Sequence, residues 1–260
     1  MVLKFAKYHG NGNDFVMVNN LNDYVNLSTE EIAGICNRHM GIGADGLIII
    51  DKSDKADFKM LYYNSDGNLA SMCGNGGRCA AAFAYVNSLC EKEMEFEAYD
   101  GIHKASVLSV MDENTDFVIS LHMSDVTNVE ENEKYMFMDT GSPHYIEFVE
   151  HLAEFDVVNL GRKTRYSEKF HPGGTNVNFV ELNENRVFVR TYERGVEDET
   201  LSCGTGVTAT AIATYLQTGK KDIDIHTIGG DFNVKLEKVN NTYTNIILTG
   251  PVKLVFKGEY

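Results

Sequence analysis

The chain repeats itself. Residues 59–86 read KMLYYNSDGNLASMCGNGGRCAAAFAYV, and residues 188–216 read FVRTYERGVEDETLSCGTGVTATAIATYL. Each stretch opens on an apolar, β-branched or aromatic run and reaches Tyr with a polar neighbour, Tyr63-Asn64 or Tyr192-Glu193. Each then crosses a polar turn to Cys-Gly-x-Gly and enters a small-residue segment of helical character. Two strand signals broken by glycine follow each, around residues 96–107 and 223–236. Upstream, Gly-Asn-Asp-Phe at 12–15 and Gly-Ser-Pro-His at 141–144 each follow a short apolar stretch. Asn13 and His144 precede Cys73 and Cys203 by spacings that agree within one residue. A period of half the chain is far too long for a solenoid, so the repeat implies two related domains. They are expected at residues 1–115 and 116–251, with residues 252–260 returning to close the first sheet.

The element pattern is α/β of the α+β type, with mostly antiparallel strands. Strands are expected at 2–8, 47–51, 59–63, 117–122, 178–182, 186–192 and 245–248 from their apolar and β-branched content. Residues 27–39 read as a helix, with Ser28 or Thr29 as the N-cap and Glu31 completing a capping box on Ser28. Gly250-Pro251 is expected to break the chain before its last apolar run.

Composition narrows the function. A formal charge of −15 with no basic run argues against nucleic acid as a partner. No stretch reaches the roughly 18 apolar residues of a membrane span, and the first ten residues lack the apolar region of a signal peptide. Five cysteines, an odd and modest number for this length, argue against a secreted disulfide framework, so a reducing cytoplasm is the expected location. Metal binding is not expected, because Cys36 and His39 form the only tight pair and no second pair accompanies it. Gly41-Ile-Gly-Ala-Asp-Gly46 matches a dinucleotide fingerprint in letters only. Here a helix precedes it and a strand follows, the reverse of what that fold needs.

Each Cys-Gly-x-Gly stands where a turn meets a helix N-terminus. Such an end favours negative charge and lowers the pKa of an adjacent thiol. A lone buried cysteine is ordinarily a small hydrophobe, and Cys36, Cys79 and Cys90 are read so. Two cysteines in equivalent frames reverse that expectation. Inverting a carbon centre requires removing a proton from one face and delivering one to the other. A thiolate and a thiol that exchange states can do both, with helix N–H donors meeting the charge that develops on a substrate carboxylate. Arg194 offers a fork for a carboxylate, and Asn64 and Asn176 can accept from and donate to an amino-acid head group; for Asn64, in Asn-Ser-Asp-Gly, turn formation is an equal alternative.

Met72-Cys-Gly-Asn-Gly-Gly-Arg78, Ser202-Cys-Gly-Thr-Gly206, His9-Gly-Asn-Gly-Asn-Asp-Phe15 and Tyr192-Glu-Arg-Gly195 together resemble the diaminopimelate epimerase family. Proline racemases share the Cys-Gly frames, but Asn75 and the Glu193-Arg194 pair favour the former. The resemblance implies two pseudo-symmetric domains, each a strongly curved, mostly antiparallel sheet around a central helix, with the site in the cleft. It implies Cys73 and Cys203 as the catalytic pair, assisted by His144 and Glu193. Substrate contacts map to Asn13, Asn64, Asn176, Glu193 and Arg194, with backbone donors at Gly74, Asn75, Gly204 and Thr205. It further implies a homodimer that epimerises LL- to meso-diaminopimelate for lysine and peptidoglycan-precursor synthesis, with a small-molecule amino-acid substrate as its partner and no cofactor. Lysine, which would leave a buried Arg194 guanidinium unpaired, should be a very poor substrate. The sequence departs from some family members at Gly46 and Ser142, where they carry Gln and Asn; Gly46 can make no side-chain contact. Two other functions fit the cysteines: racemisation of a different amino acid on the same fold, and a thiol–disulfide redox module, although a redox pair ordinarily sits close in sequence.

Overall fold

The computed structural model describes residues 2–22, 25–183 and 186–260, which fall into two compact units. The first contains β1 (Lys4–Gly10), β2 (Asn13–Asn19), α1 (Thr29–Cys36), β3 (Gly46–Asp51) and β4 (Phe58–Asn64). It continues through α2 (Gly74–Val86), β5 (Glu93–Ala98), β6 (Gly101–Met111) and β7 (Asp116–His122). The second contains β8 (Val129–Glu131), β9 (Met136–Asp139), β10 (Pro143–Phe148), α3 (Val157–Arg165) and β11 (Asn176–Asn183). After these come β12 (Arg186–Glu193), β13 (Asp198–Thr200), α4 (Gly204–Thr218), β14 (Asp222–Thr227) and β15 (Gly230–Val239). The last strand, β16 (Thr242–Glu259), serves both units.

The strand pairings repeat. From β1 to β7 successive pairs run antiparallel, parallel, antiparallel, parallel, antiparallel and antiparallel. The path from β9 through β10, β11, β12, β14 and β15 to β16 has the same order of senses. The duplication is therefore one of topology as well as of motifs. In the first unit β16 pairs with both β7 and β1, so eight strands close into a ring. In the second, the segment after β7 bonds to β16 through Met123 N–H to Ile246 O at 2.8 Å and the Val126–Tyr243 bridge.

Each sheet wraps around one helix. In α2 every residue from Gly74 to Ala84 is buried, and in α4 nearly every residue from Gly204 to Thr214 is. A helix without a polar face belongs in a core, and small residues let strands approach it from all sides. The outer helices cover the other face of part of each sheet. Val16, Val18, Leu47 and Ile49 pack with Ile32 and Ile35 of α1, and Val177, Phe179 and Tyr192 pack with Val157 of α3. Burial on two faces explains the unbroken Leu47-Ile48-Ile49-Ile50 run of β3, a pattern expected of a strand flanked by a parallel neighbour and covered on both sides. Each such side chain contributes about 1.5–3 kcal/mol on burial.

Three expectations need adjustment. The units divide after Leu121 and after Thr249, because β7 pairs with β6 and with the Gly250–Lys253 stretch of β16 and so belongs with the first sheet. Gly250-Pro251 does not break the chain but lies inside β16. Pro251 falls where pairing with β15 has ended at Thr249 and pairing with β1 has yet to begin at Lys253, so its missing N–H costs neither partner a bond. Helix α1 has the expected Ser28–Glu31 capping box but ends at Cys36. There the Asn37 side chain accepts from the N–H groups of His39 and Met40 and turns the chain out of the helix. Helix α3 carried little sequence signal, since Val157 and Gly161 are its only buried residues. No helix among the described residues is long and apolar enough to cross a membrane.

Candidate active site

Cys73 and Cys203 occupy the same place in their respective units. Each is the N-cap of the central helix, with extended backbone (φ −112°, ψ 123° and φ −130°, ψ 112°) and no side-chain capping bond. The first bonds within the helices run from Gly77 N–H to Cys73 O and from Val207 N–H to Cys203 O. The N–H groups of Gly74 and Asn75, and of Gly204 and Thr205, thus belong to the turn that meets no carbonyl in its own helix, the part of a helix suited to an anion.

In the first unit, β1 and β2 join through the two-residue turn Asn11-Gly12, both at positive φ (51° and 87°). This is the hairpin turn that asparagine and glycine favour. It sets Asn13 at the start of β2, where its Oδ1 accepts from Cys73 Sγ at 3.5 Å and from Asn75 Nδ2 at 3.4 Å. Its Nδ2 donates to Asp45 Oδ2 at 2.8 Å. Behind it, Arg38 holds Asp14 through two bonds and Asp45 through one. Lys7 lies 2.7 Å from Asp14. Burial acts to raise the Asp14 carboxyl, but the bonds from Arg38 and Lys7 hold it well below the usual carboxylate range.

Under the same helix end lies Arg78, fully buried. Its guanidinium donates to Asn11 Oδ1 at 2.8 Å, Asn75 Oδ1 at 3.0 Å and Gly74 O at 3.3 Å. Burial pulls its pKa down to about 10, against the attraction of Cys79 and Cys73, so it remains a cation at neutral pH. Asn64, at the end of β4, is exposed and accepts from the Tyr62 hydroxyl at 2.8 Å.

The second unit builds its surroundings from different groups. His144 is fully buried on β10, in register with Asn176 on β11. The Asn178 amide fixes its tautomer. Asn178 Nδ2 donates to Tyr145 O at 2.9 Å, which can only accept, while Asn178 Oδ1 accepts from Thr191 at 2.9 Å. The same Nδ2 lies 3.0 Å from His144 Nδ1, so Nδ1 is the acceptor and Nε2 carries the proton. That Nε2 lies 2.9 Å from Thr205 Oγ1 and 3.0 Å from Ser142 Oγ, and Thr205 Oγ1 lies 3.4 Å from Cys203 Sγ. Burial, and then the Arg194 charge, push the His144 pKa down to about 3, and the ring is neutral. Asn176 Nδ2 donates to Ser142 Oγ and Pro143 O, and its Oδ1 accepts from Arg194 N–H at 2.8 Å. Glu193 Oε2 accepts from Thr200 at 2.8 Å.

The structure thus gathers Cys73, Gly74, Asn75 and Asn13 about one helix end, and Cys203, Gly204, Thr205, His144 and Asn176 about the other. Glu193 and Arg194 close the β12–β13 hairpin and join the second group through Asn176. Arg194 is exposed and not buried, because it sits at the hairpin tip beside Gly195. The penalty expected for lysine therefore shrinks to the value of an exposed pair, about 0–1 kcal/mol. Among the described residues no three His, Cys, Asp or Glu side chains gather to hold a metal ion. Sequence reasoning missed Asn11, Arg78 and Asn178. Arg78 had a signal, as the one charged residue in an otherwise small and apolar helix. Asn178 had a fainter one, two residues along the same strand from Asn176.

The sequence profile of diaminopimelate epimerases matches residues 5–127 and 136–255. The chain belongs to the diaminopimelate epimerase family. Among curated members, the diaminopimelate epimerase of Flavobacterium psychrophilum is 46% identical over 98% of this chain and 99% of its own length. That of Aquifex aeolicus is 38% identical over 99% and 97%. The protein is accordingly an isomerase. Solved structures show the same two-domain fold at low identity. A phenazine biosynthesis protein of the PhzF family from Bacillus anthracis superposes with a TM-score of 0.77 at 15% identity, covering 100% of this chain and 99% of that one. A hydroxyproline epimerase from Agrobacterium vitis gives 0.71 at 15% identity, covering 99% and 92%.

Proposed function

We propose that the protein interconverts LL- and meso-diaminopimelate, with Cys73 and Cys203 as the two bases. The observation that carries this reading is the equivalent placement of both cysteines as N-caps of buried central helices. In each direction one sulfur, as thiolate, takes the α-proton. The other, as thiol, delivers its proton to the opposite face, and the two exchange states with each turnover. The α-proton is very weakly acidic, so the charge spreading onto the α-carboxylate must be met by donors already in place. The N–H groups of Gly74, Asn75, Gly204 and Thr205 are suited to that task. Asn13 Oδ1 would accept from Cys73 while that residue is a thiol, and the Thr205 hydroxyl could accept from Cys203 as a thiol or donate to it as a thiolate. His144, neutral with its proton on Nε2, would tie Thr205 in place, and Glu193 would accept from a substrate ammonium. Asn64, Asn176 and Arg194 would recognise the amino-acid ends, Arg194 by pairing with the distal carboxylate.

This chemistry asks nothing of pyridoxal phosphate, a metal or a nucleotide, and the reading places the enzyme in lysine and peptidoglycan-precursor synthesis as a cytoplasmic homodimer. The test is isotopic. Early turnover of LL-diaminopimelate in D2O should put deuterium into the inverted product while recovered substrate stays largely unlabelled. Comparable deuterium in both would remove the two-base mechanism. Faster turnover of proline, hydroxyproline or lysine than of diaminopimelate would replace the substrate.

A further inference from the structure

We infer that Tyr62 is a positioning residue for recognition of a substrate carboxylate: its hydroxyl orients the Asn64 amide so that Nδ2 is the end presented. This inference rests on the substrate reading above and adds to it a residue that neither cysteine frame contains.

Strand register carries the first step. Gly46 of β3 stands opposite Phe15 of β2 on one side and opposite Asn64 of β4 on the other, and Tyr62 is opposite Ile48. Side chains alternate along a strand, so Met60, Tyr62 and Asn64 share one face of β4. Met60 identifies that face, since its Cε lies 3.2 Å from where a Cβ on Gly76 of α2 would stand. Leu61 and Tyr63, on the other face, pack with the α1 cluster. Tyr62 and Asn64 therefore line the face toward the helix that Cys73 caps. Tyr62 also borders a recess together with Ala70 and Met72, the residue before Cys73.

The second step is the space above Gly46. A Cβ there would stand 2.6 Å from Tyr62 Cε2 and 2.5 Å from Tyr63 O, so no side chain fits. The Tyr62 ring occupies the place that a residue 46 side chain would otherwise fill. Buried Phe15 meets the ring edge-on, with centroids 5.8 Å apart and planes at 81°. Held on these two sides, the ring carries its hydroxyl to Asn64 Oδ1 at 2.8 Å.

The third step is what this does to the amide. A free asparagine at an exposed strand end can offer either its carbonyl or its amino end. With Oδ1 accepting from the phenol, Nδ2 is the end turned to a ligand, and a donor pair suits a carboxylate and not an ammonium. The repeat supports the assignment. The residue of the second unit at the place of Tyr62 is Thr191, before Tyr192-Glu193 as Tyr62 is before Tyr63-Asn64. Its hydroxyl likewise donates to an asparagine carbonyl, that of Asn178. In both units this position holds a hydroxyl that sets an amide.

Tyr62→Phe keeps the ring and its Phe15 contact and removes only the hydroxyl. With LL-diaminopimelate, KM should rise about three- to tenfold while kcat stays within about twofold, the size expected for one neutral hydrogen bond. In an Asn64→Ala background the same change should alter KM by less than about twofold, because the two residues act as one unit. Pimelate, which has the carboxylates without the amines, should inhibit Tyr62→Phe more weakly by the same factor as KM. Cadaverine, which has amines without carboxylates, should show no change. An unchanged KM in Tyr62→Phe, additive effects with Asn64→Ala, a loss confined to kcat, or weakening toward cadaverine alone would each overturn the assignment while leaving the substrate reading intact. Failure of the wild-type protein to epimerise diaminopimelate would overturn the substrate reading and the assignment with it. A circular-dichroism melt matching the wild type shows that the Phe variant reports on binding and not on folding.

Discussion

Behind Cys73 the fold places a buried guanidinium and three amides, Arg78 with Asn11, Asn13 and Asn75. Behind Cys203 it places a neutral imidazole and three hydroxyls, His144 with Thr140, Ser142 and Thr205. The backbones are equivalent: both cysteines stand at the N-cap of a helix buried in a closed or nearly closed sheet, and both approach their helix in extended conformation. Duplication thus preserved the part made of backbone, an N-terminal helix end that favours negative charge, and let the side chains behind it diverge. At the fifth residue after each cysteine stand Arg78 and Thr208. The first puts a full positive charge under one sulfur. The second spends its hydroxyl on Gly204 O within its own helix. In the two-base reading proposed above one sulfur rests as thiolate and the other as thiol, and this difference would set which is which.

The largest test of the comparison removes each sulfur in turn. Cys73→Ala and Cys203→Ala should each lower epimerisation by about a thousandfold or more, within the range of a lost general acid or base, with unchanged circular dichroism. Retention of substantial activity by either variant, measured by loss of optical rotation, would show that the half-sites are not partners.

Next in size is Arg78→Met. Losing a nearby positive charge should move the pH at which Cys73 is alkylated by iodoacetamide upward and leave Cys203 where it was. Arg78→Lys should restore much of the difference. The Met variant also removes the buried bonds to Asn11 and Asn75, so its melting temperature should fall. Equal shifts at both cysteines would make the asymmetry irrelevant to their ionisation.

His144 sharpens the comparison through acid stability. Its pKa in the folded protein, about 3, lies below the ordinary histidine value near 6.5. Between the two, the unfolded chain binds a proton that the folded protein refuses. Stability from this residue is complete above pH ~6.5 and declines as pH falls toward 3, by about 1.4 kcal/mol per pH unit. Urea melts from pH 7 to 4 should show that slope, and His144→Gln should flatten it. A slope unchanged by the substitution would mean that other groups dominate.

The smallest effect belongs to Ser142→Ala. Ser142 bonds His144, Thr205 and Asn176, but His144 and Thr205 also bond each other directly. A loss of about two- to fivefold in kcat/KM is expected, equivalent to about one hydrogen bond. A loss comparable to that in Cys203→Ala would give Ser142 a part in the chemistry itself.

Much of this was legible in the chain, because local patterns report local structure. The repeat, the Cys-Gly-x-Gly frames, the Ser28 capping box and the apolar run of β3 each depend on residues within a turn or a strand of one another, and they named both helix ends and the cysteines that cap them. Contacts between residues far apart in sequence were decided only by the tertiary fold. Arg78 finds Asn11 across 67 residues of chain. The His144 tautomer is set by Asn178, 34 residues on. Pro251 is tolerated inside a strand because that strand changes partners there. Glycine at 46 read as a missing contact, but in the sheet it is the clearance that lets Tyr62 lie across it. Periodicity states which face a side chain takes; which neighbour meets it there is set by strand register and by the closure of each sheet around its helix.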